Sequence, residues 1–294
     1  NGELVPFADA RLHPLSLAVT YATTVFEGVR AYHVEKTGQF ALFRLDEHMR
    51  RLQVGMKLLR MDRSYDTQYM LESLTKLIRA NEPDSDVYVR LLVYVEGTGL
   101  MATTGPVGFT AAAMPREKPK FAETGMSLGV SSWHRLDDNA SPPRIKSTAN
   151  YHNARLAALQ AKSDGYDGAL MLTAGGKVSE SPIACFFMVR DGQLITPSKS
   201  SGILESITRD TIITRYRELT GKQVEERVID RSELYFADEA FLCGTGQEII
   251  PVVKIDRFAV GDGAVGPLTR KLSQDYFDLV RGINAEHSEW RTLI

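Results

Sequence analysis

The residues best suited to covalent chemistry lie in one short stretch, RIKSTANYHNARLA, at positions 144–157. Lys146 is followed by the small residues Ser147, Thr148 and Ala149, and then by the Asn150–Tyr151 pair, which brings an aromatic hydroxyl close in sequence. A loop lysine is ordinarily a solvated charge, because lysine is almost never buried without a partner. In a crowded pocket the same amine behaves differently. Desolvation and a charged neighbour lower its pKa, and the neutral form is a nucleophile. The stretch alone fits either behaviour.

Two further stretches are suited to an anion. LESITRD (204–210) puts Ser206, Ile207 and Thr208 at a helix start. The first backbone N–H groups of a helix have no partner within it, and the dipole's positive end lies there. CGTGQE (243–248) sets Thr245 between two glycines, where a ligand can approach the backbone and the hydroxyl can donate. Singly, each reads as well as a capped helix or a tight turn, and GTG is too short for a nucleotide fingerprint. Two anion sites together with a lysine among small residues point to a phosphorylated cofactor. Without the lysine they would describe a non-catalytic module binding a phosphate-bearing ligand.

These residues need elements to position them. FALFRL (40–45) alternates like a strand, and in residues 46–62 Met49, Leu52, Met56 and Leu59 fall at helical spacing, with Asp46 as the expected N-cap. Residues 69–81 read as a second amphipathic helix, and 86–97 and 109–114 as strands. PREKPKFAETG (115–125), with its prolines and charges, reads as a linker. Beyond it come strands at 126–133 and 168–173 around a helix at 150–165. A hairpin at 184–197 turns through Asp191-Gly192, a helix spans 206–221 with Gly221 as its C-cap, and a strand–turn–strand spans 239–258. A last helix follows Pro267. The expected organisation is two mixed α/β domains: a small one over 1–114, a linker over 115–121, and a larger one over 122–294.

Composition narrows the partners. The 294 residues are 43% hydrophobic, enough for sizeable cores, and the 35 basic and 37 acidic residues leave a net charge of −2. No basic stripe suggests nucleic acid or an anionic membrane, and no apolar run reaches the roughly 18 residues of a membrane span. Cys185 and Cys243 form no CxxC pair and suit a reducing compartment. The N-terminus has no signal-like pattern, so a soluble cytoplasmic protein is expected, and the lack of a first methionine suggests that residues precede Asn1.

TVFEGVRAY (24–32), EHMRRL (47–52), VYVRLLVYVEGTG (87–99), KSTANYHNARLAAL (146–159), GGKVSESPIACFFMV (175–189), LESITRD, SELYFADEAFLCGTGQEIIPV (232–252) and VGPLTRKL (265–272) occur in the order seen in class IV pyridoxal-phosphate enzymes. The chain resembles the branched-chain amino-acid aminotransferases in particular, over nearly its whole length. The resemblance implies the two-domain α+β architecture of fold type IV, pyridoxal 5'-phosphate as cofactor, and a homodimer or a higher homo-oligomer built of dimers. It implies ping-pong transfer of an amino group from leucine, isoleucine or valine to 2-oxoglutarate. Lys146 matches the lysine of the internal aldimine, which also moves protons at Cα. Tyr151 matches the partner of the phenolic oxygen, and Glu180 the carboxylate facing the pyridine nitrogen. Arg51, Ile207, Thr208 and Thr245 match the phosphate cup, and Leu204 packs on the ring. Tyr21, Phe26, Tyr88, Arg90 and Gly246 match the substrate side, with Tyr21 reaching the neighbouring subunit's site.

Some positions depart from the family pattern. Glu205-Ser206 replaces the usual Pro-Gly before Ile207, and Gly246 the more usual alanine. Both are tolerable, because backbone groups do the binding there. The linker carries Arg116 where branched-chain enzymes often place aromatics. A linker arginine resembles class IV transaminases acting on D-amino acids or (R)-amines, and that substrate class is the alternative reading.

Overall fold

The structure is a computed structural model that describes residues 1–294. The chain forms two compact units. The first comprises Asn1–Glu117, Ile145–Ala149 and Leu279–Ile294; the second comprises Lys118–Arg144 and Asn150–Asp278. No helix is long and apolar enough to cross a membrane.

The first unit contains α1 (Leu17–Thr20), β1 (Thr24–Val34), β2 (Gln39–Phe43), α2 (Leu45–Leu58), α3 (Thr67–Asn81), β3 (Val87–Val95) and β4 (Val107–Pro115). Its antiparallel sheet runs from the C-terminal strand (Arg291–Leu293) through β2, β1 and β3 to β4. Strand residues alternate between faces. Val25, Val29 and Ala31 of β1 join Val89, Leu91 and Val93 of β3 under α2 and α3, whose Leu45, Met49, Leu52, Met56, Met70, Leu74 and Ile78 complete the core. Glu27 shares this helix-covered face and is 0% exposed. Phe26, Gly28 and Arg30 point to the other face.

Local signals set the helix ends, with one correction. The Asp66 carboxylate accepts the Tyr69 N–H at 2.7 Å and caps α3. In α2, Asp46 is not the N-cap. Arg44 holds that position at φ 52°, and Asp46 and Glu47 lie in the first turn, where the helix dipole favours them.

The second unit contains β5 (Met126–Val130), α4 (Thr148–Ser163, whose first two residues belong to the first unit), β6 (Gly168–Leu170), β7 (Cys185–Arg190), β8 (Gln193–Pro197), α5 (Ile207–Thr220), β9 (Glu225–Arg227), β10 (Glu239–Gly244), β11 (Glu248–Ile255), β12 (Phe258–Ala259) and α6 (Pro267–Val280). Its mixed sheet runs β6-β5-β11-β10-β7-β8-β9, with β12 on β11. The β7–β8 hairpin turns through Asp191 (φ 51°) and Gly192 (φ 71°), as a two-residue turn with positive φ at both positions requires. Ser206 caps α5 by accepting the Arg209 N–H, and Gly221 ends it at φ 71°.

The division between Glu117 and Lys118 falls within residues 115–121, but the units are not contiguous in sequence. The C-terminal strand pairs with β2, and Ser147 bridges to Val25, so both segments join the first unit.

Asp66→Ala removes the α3 cap and should lower stability by about 1 kcal/mol, while Asp66→Asn retains most of it. Urea unfolding checks this. Equal losses in the two variants would contradict the capping role.

Candidate active site

Within the first unit, the site residues are organised by three consecutive positions of β1. The Phe26 N–H donates to the Lys146 carbonyl at 2.9 Å, and Val25 and Ser147 form an antiparallel bridge. The Thr148 hydroxyl adds a bond to the Ala22 carbonyl at 3.3 Å. The lysine backbone is thus docked along a strand, and its Nζ lies 4.8 Å from the centre of the Phe26 ring, on the attractive face of the π-system.

Glu27 points the opposite way, toward α2. Arg51 donates to it through Nε and Nη2 at 2.7 and 2.8 Å, and the His48 Nδ1 lies 2.7 Å from the same carboxylate. Burial opposes the charge on Glu27. The Arg51 and His48 charges and hydrogen bonds outweigh it and hold the carboxyl well below the usual range. Burial lowers the His48 pKa most, Glu27 opposes that, and Arg51 and Lys146 reinforce it. Arg51 is therefore a fixed guanidinium rather than a free helix charge. A guanidinium has about five N–H donors, so pairing with Glu27 is compatible with holding an anion as well.

Gly28 is the third position. A Cβ there would collide with the Tyr88 hydroxyl, so the glycine makes room for that ring. The Arg90 guanidinium lies 5.8 Å from the centre of the Tyr88 ring. Arg90 is exposed, as are Tyr21, at the end of α1, and Arg116. The Arg116 backbone is fixed on both sides: its N–H donates to the Asp86 carbonyl at 3.0 Å, and its carbonyl accepts from Arg30 Nη1 at 3.2 Å.

The second unit holds the other expected residues. Glu180 is buried, with Oε1 2.7 Å from Arg135 Nη2 and accepting the Leu204 N–H at 3.1 Å. The Cys185 thiol donates to Oε2 at 3.5 Å, and burial, then the Glu180 charge, pushes that thiol well up. Cys243, opposite Cys185 on β10, is pushed up to about 12, by burial above all. Neither is a reactive thiolate. Ile207 and Thr208 occupy the first two positions of α5, and the Ser206 cap serves the third amide. Thr245 and Gly246 form the tight turn between β10 and β11, closed by the Gln247 N–H to the Gly244 carbonyl at 3.0 Å. Tyr151 sits in the first turn of α4.

The structure joins Lys146 to Phe26 and Glu180 to Leu204. It adds Glu27, His48 and Arg135, which sequence reasoning missed. Glu27 carried a signal, as the one carboxylate among apolar residues on the inner face of a buried strand. Arg135, in the loop after β5, carried none.

The donor set suits pyridoxal phosphate. An amine rests on an aromatic ring, a buried carboxylate is held by an arginine and an amide, and a helix start and a threonine turn provide N–H and O–H donors. The amino-transferase class IV family model matches residues 24–255. A probable branched-chain-amino-acid aminotransferase of Aquifex aeolicus is 37% identical over 99% of this chain and 94% of its own. The crystal structure of a branched-chain amino acid aminotransferase from Thermobaculum terrenum in its PLP form shares 41% identity, with TM-score 0.93 over 100% of this chain and 96% of that one. The T.th. branched-chain amino acid aminotransferase complexed with N-(5'-phosphopyridoxyl)-L-glutamate gives TM-score 0.91 at 34% identity, over 98% and 95% of the two chains.

His48 yields a pH prediction. Below the ordinary histidine value of 6.5 the unfolded chain takes up a proton that the folded His48 refuses. Its contribution to stability is therefore complete above 6.5 and lost as pH falls, with a slope of at most about 1.4 kcal/mol per pH unit. His48→Gln removes this part of the slope. Wild type and variant losing stability in parallel from about pH 6.5 to 5 would contradict it.

Proposed function

The chain belongs to the class IV amino-transferases, and from that premise we propose that it transfers the amino group of leucine, isoleucine or valine to 2-oxoglutarate, using pyridoxal 5'-phosphate. The observation that carries this reading is the Lys146 backbone docked on β1 with its amine resting on Phe26. The relatives' names support the branched-chain donor, and the glutamate conjugate bound by the T.th. enzyme supports the acceptor.

When bound, the cofactor supplies an electrophilic carbon for the amino group and a ring that delocalises the electron pair left when the Cα proton departs. The protein does the rest. Lys146 holds the cofactor covalently and, once displaced by the donor, carries the proton at Cα. Glu180 keeps a proton on the ring nitrogen, Tyr151 donates to the phenolic oxygen, and Leu204 packs on the ring. Arg51, the Ile207 and Thr208 amides and the Thr245 hydroxyl bind the phosphate, a multiply charged group for which a fixed guanidinium and a helix start are suited. Phe26, Tyr88, Arg90 and the Gly246 amide face the substrate, and donor and acceptor use the same pocket in turn.

We also propose a homodimer, with Tyr21 completing the neighbouring subunit's site. Phe7, Leu15, Val19 and Tyr21, together with Leu100 and Met101 after β3, are exposed apolar side chains of a kind that marks an interface. The unpaired thiols Cys185 and Cys243 suit a reducing, cytoplasmic setting.

A panel of donors tests the substrate, with each half-reaction followed by cofactor absorbance. L-leucine and L-valine should react, and D-alanine and (R)-1-phenylethylamine should not. Lys146→Ala should reduce every half-reaction to background while leaving the protein folded. The reverse preference would transfer the assignment to D-amino acids or (R)-amines, with Arg116 as the carboxylate partner. Sedimentation of the active enzyme should show a dimer, and an active monomer would refute the shared site.

A further inference from the structure

Arg135 and Glu180 form a buried ion pair enclosed by backbone. Arg135 Nη2 lies 2.7 Å from Glu180 Oε1, and its Nε donates to the Gly202 carbonyl at 3.2 Å. Two residues on, the Leu204 N–H donates to the same Oε1 at 3.1 Å. One segment, Gly202–Leu204, thus holds both members of the pair. Gly202 has φ +71°, and a Cβ there would lie 3.5 Å from Arg135 Cγ and 3.4 Å from the Leu136 carbonyl. Both are ordinary contact distances, so it is the left-handed backbone that calls for glycine there. The Arg135 N–H is itself fixed to the Leu172 carbonyl at 2.8 Å. The guanidinium has little freedom to leave.

A buried carboxylate without a cation takes up a proton rather than remain charged. This matters for a carboxylate that faces a pyridine nitrogen, because the two share one proton. If the carboxylate is the stronger base, the proton resides on oxygen and the ring is neutral. If an adjacent cation stabilises the carboxylate anion, the proton resides on nitrogen and the ring becomes the electron sink.

We infer that Arg135 is a positioning residue for the cofactor: by holding Glu180 as an anion, it keeps the shared proton on the ring nitrogen. The inference rests on the reading of Glu180 given above. Arg135 acts through its contact with the Glu180 carboxylate. The Cys185 thiol, on Oε2, is a neutral donor and cannot replace the cation.

The test is the ¹⁵N NMR spectrum of the holoenzyme loaded with ring-¹⁵N pyridoxal 5'-phosphate. Wild type should show a protonated nitrogen. Arg135→Met should move the resonance to the unprotonated position while the phosphate still binds, and Arg135→Lys should restore it. If Arg135→Met does not fold, Arg135→Gln, which keeps donors and loses the charge, is read by the same criterion. A nitrogen that stays protonated in the neutral variant overturns the inference. Glu180→Gln separates the two levels. If it also leaves the nitrogen protonated, the assignment of Glu180 itself fails. If it removes the proton and the neutral Arg135 variant does not, only the role of Arg135 fails.

Discussion

The arrangement of candidate residues within the first unit depends on a single backbone registration, the Phe26 N–H on the Lys146 carbonyl beside the Val25–Ser147 bridge. It docks the backbone of a loop lysine on a stretch of β1 that is itself paired with β3. Because side chains alternate along a strand, consecutive residues then serve opposite faces. Phe26 supports the amine, Glu27 turns into the helix-covered core to fix Arg51, and Gly28 leaves space for Tyr88. A slip of one residue would send the carboxylate toward the lysine and the phenyl ring into the ion pair.

Two buried carboxylates, each held by an arginine, fix the charges of the two units. Neither pair should be read as a net source of stability, because desolvating both partners offsets most of their attraction. Their value is orientation. Glu27 orients the guanidinium of Arg51, and Arg135 orients the carboxylate of Glu180. The helix start at Ile207 lies a few residues beyond Leu204, so the segment that binds Glu180 also leads into the α5 amides.

What was legible in the sequence was local. Helical spacing and strand alternation, the Ser206 and Gly221 caps of α5 and the Asp191-Gly192 turn each depend on residues close in the chain. The motifs supplied the candidate cofactor residues by resemblance. Asp46 reads as a cap in the sequence, but Arg44 takes that place through a left-handed conformation that its residue type does not announce. The discontinuous first unit was not legible, because Val25–Ser147 and the pairing of the C-terminal strand with β2 join distant segments. Glu27–Arg51 and Arg135–Glu180 were hidden for the same reason: pattern reveals that a charge is buried, while the partner depends on how the sheet and loops bring distant residues together.

The proposed chemistry depends first on which amine carries the cofactor. Borohydride reduction of the holoenzyme fixes the cofactor to that amine, and peptide mass mapping then locates it. The pyridoxyl mass is predicted on Lys146 and nowhere else. Its appearance on another lysine, such as Lys162 in the last turn of α4 or Lys177, which pairs with Asp230, would contradict the assignment.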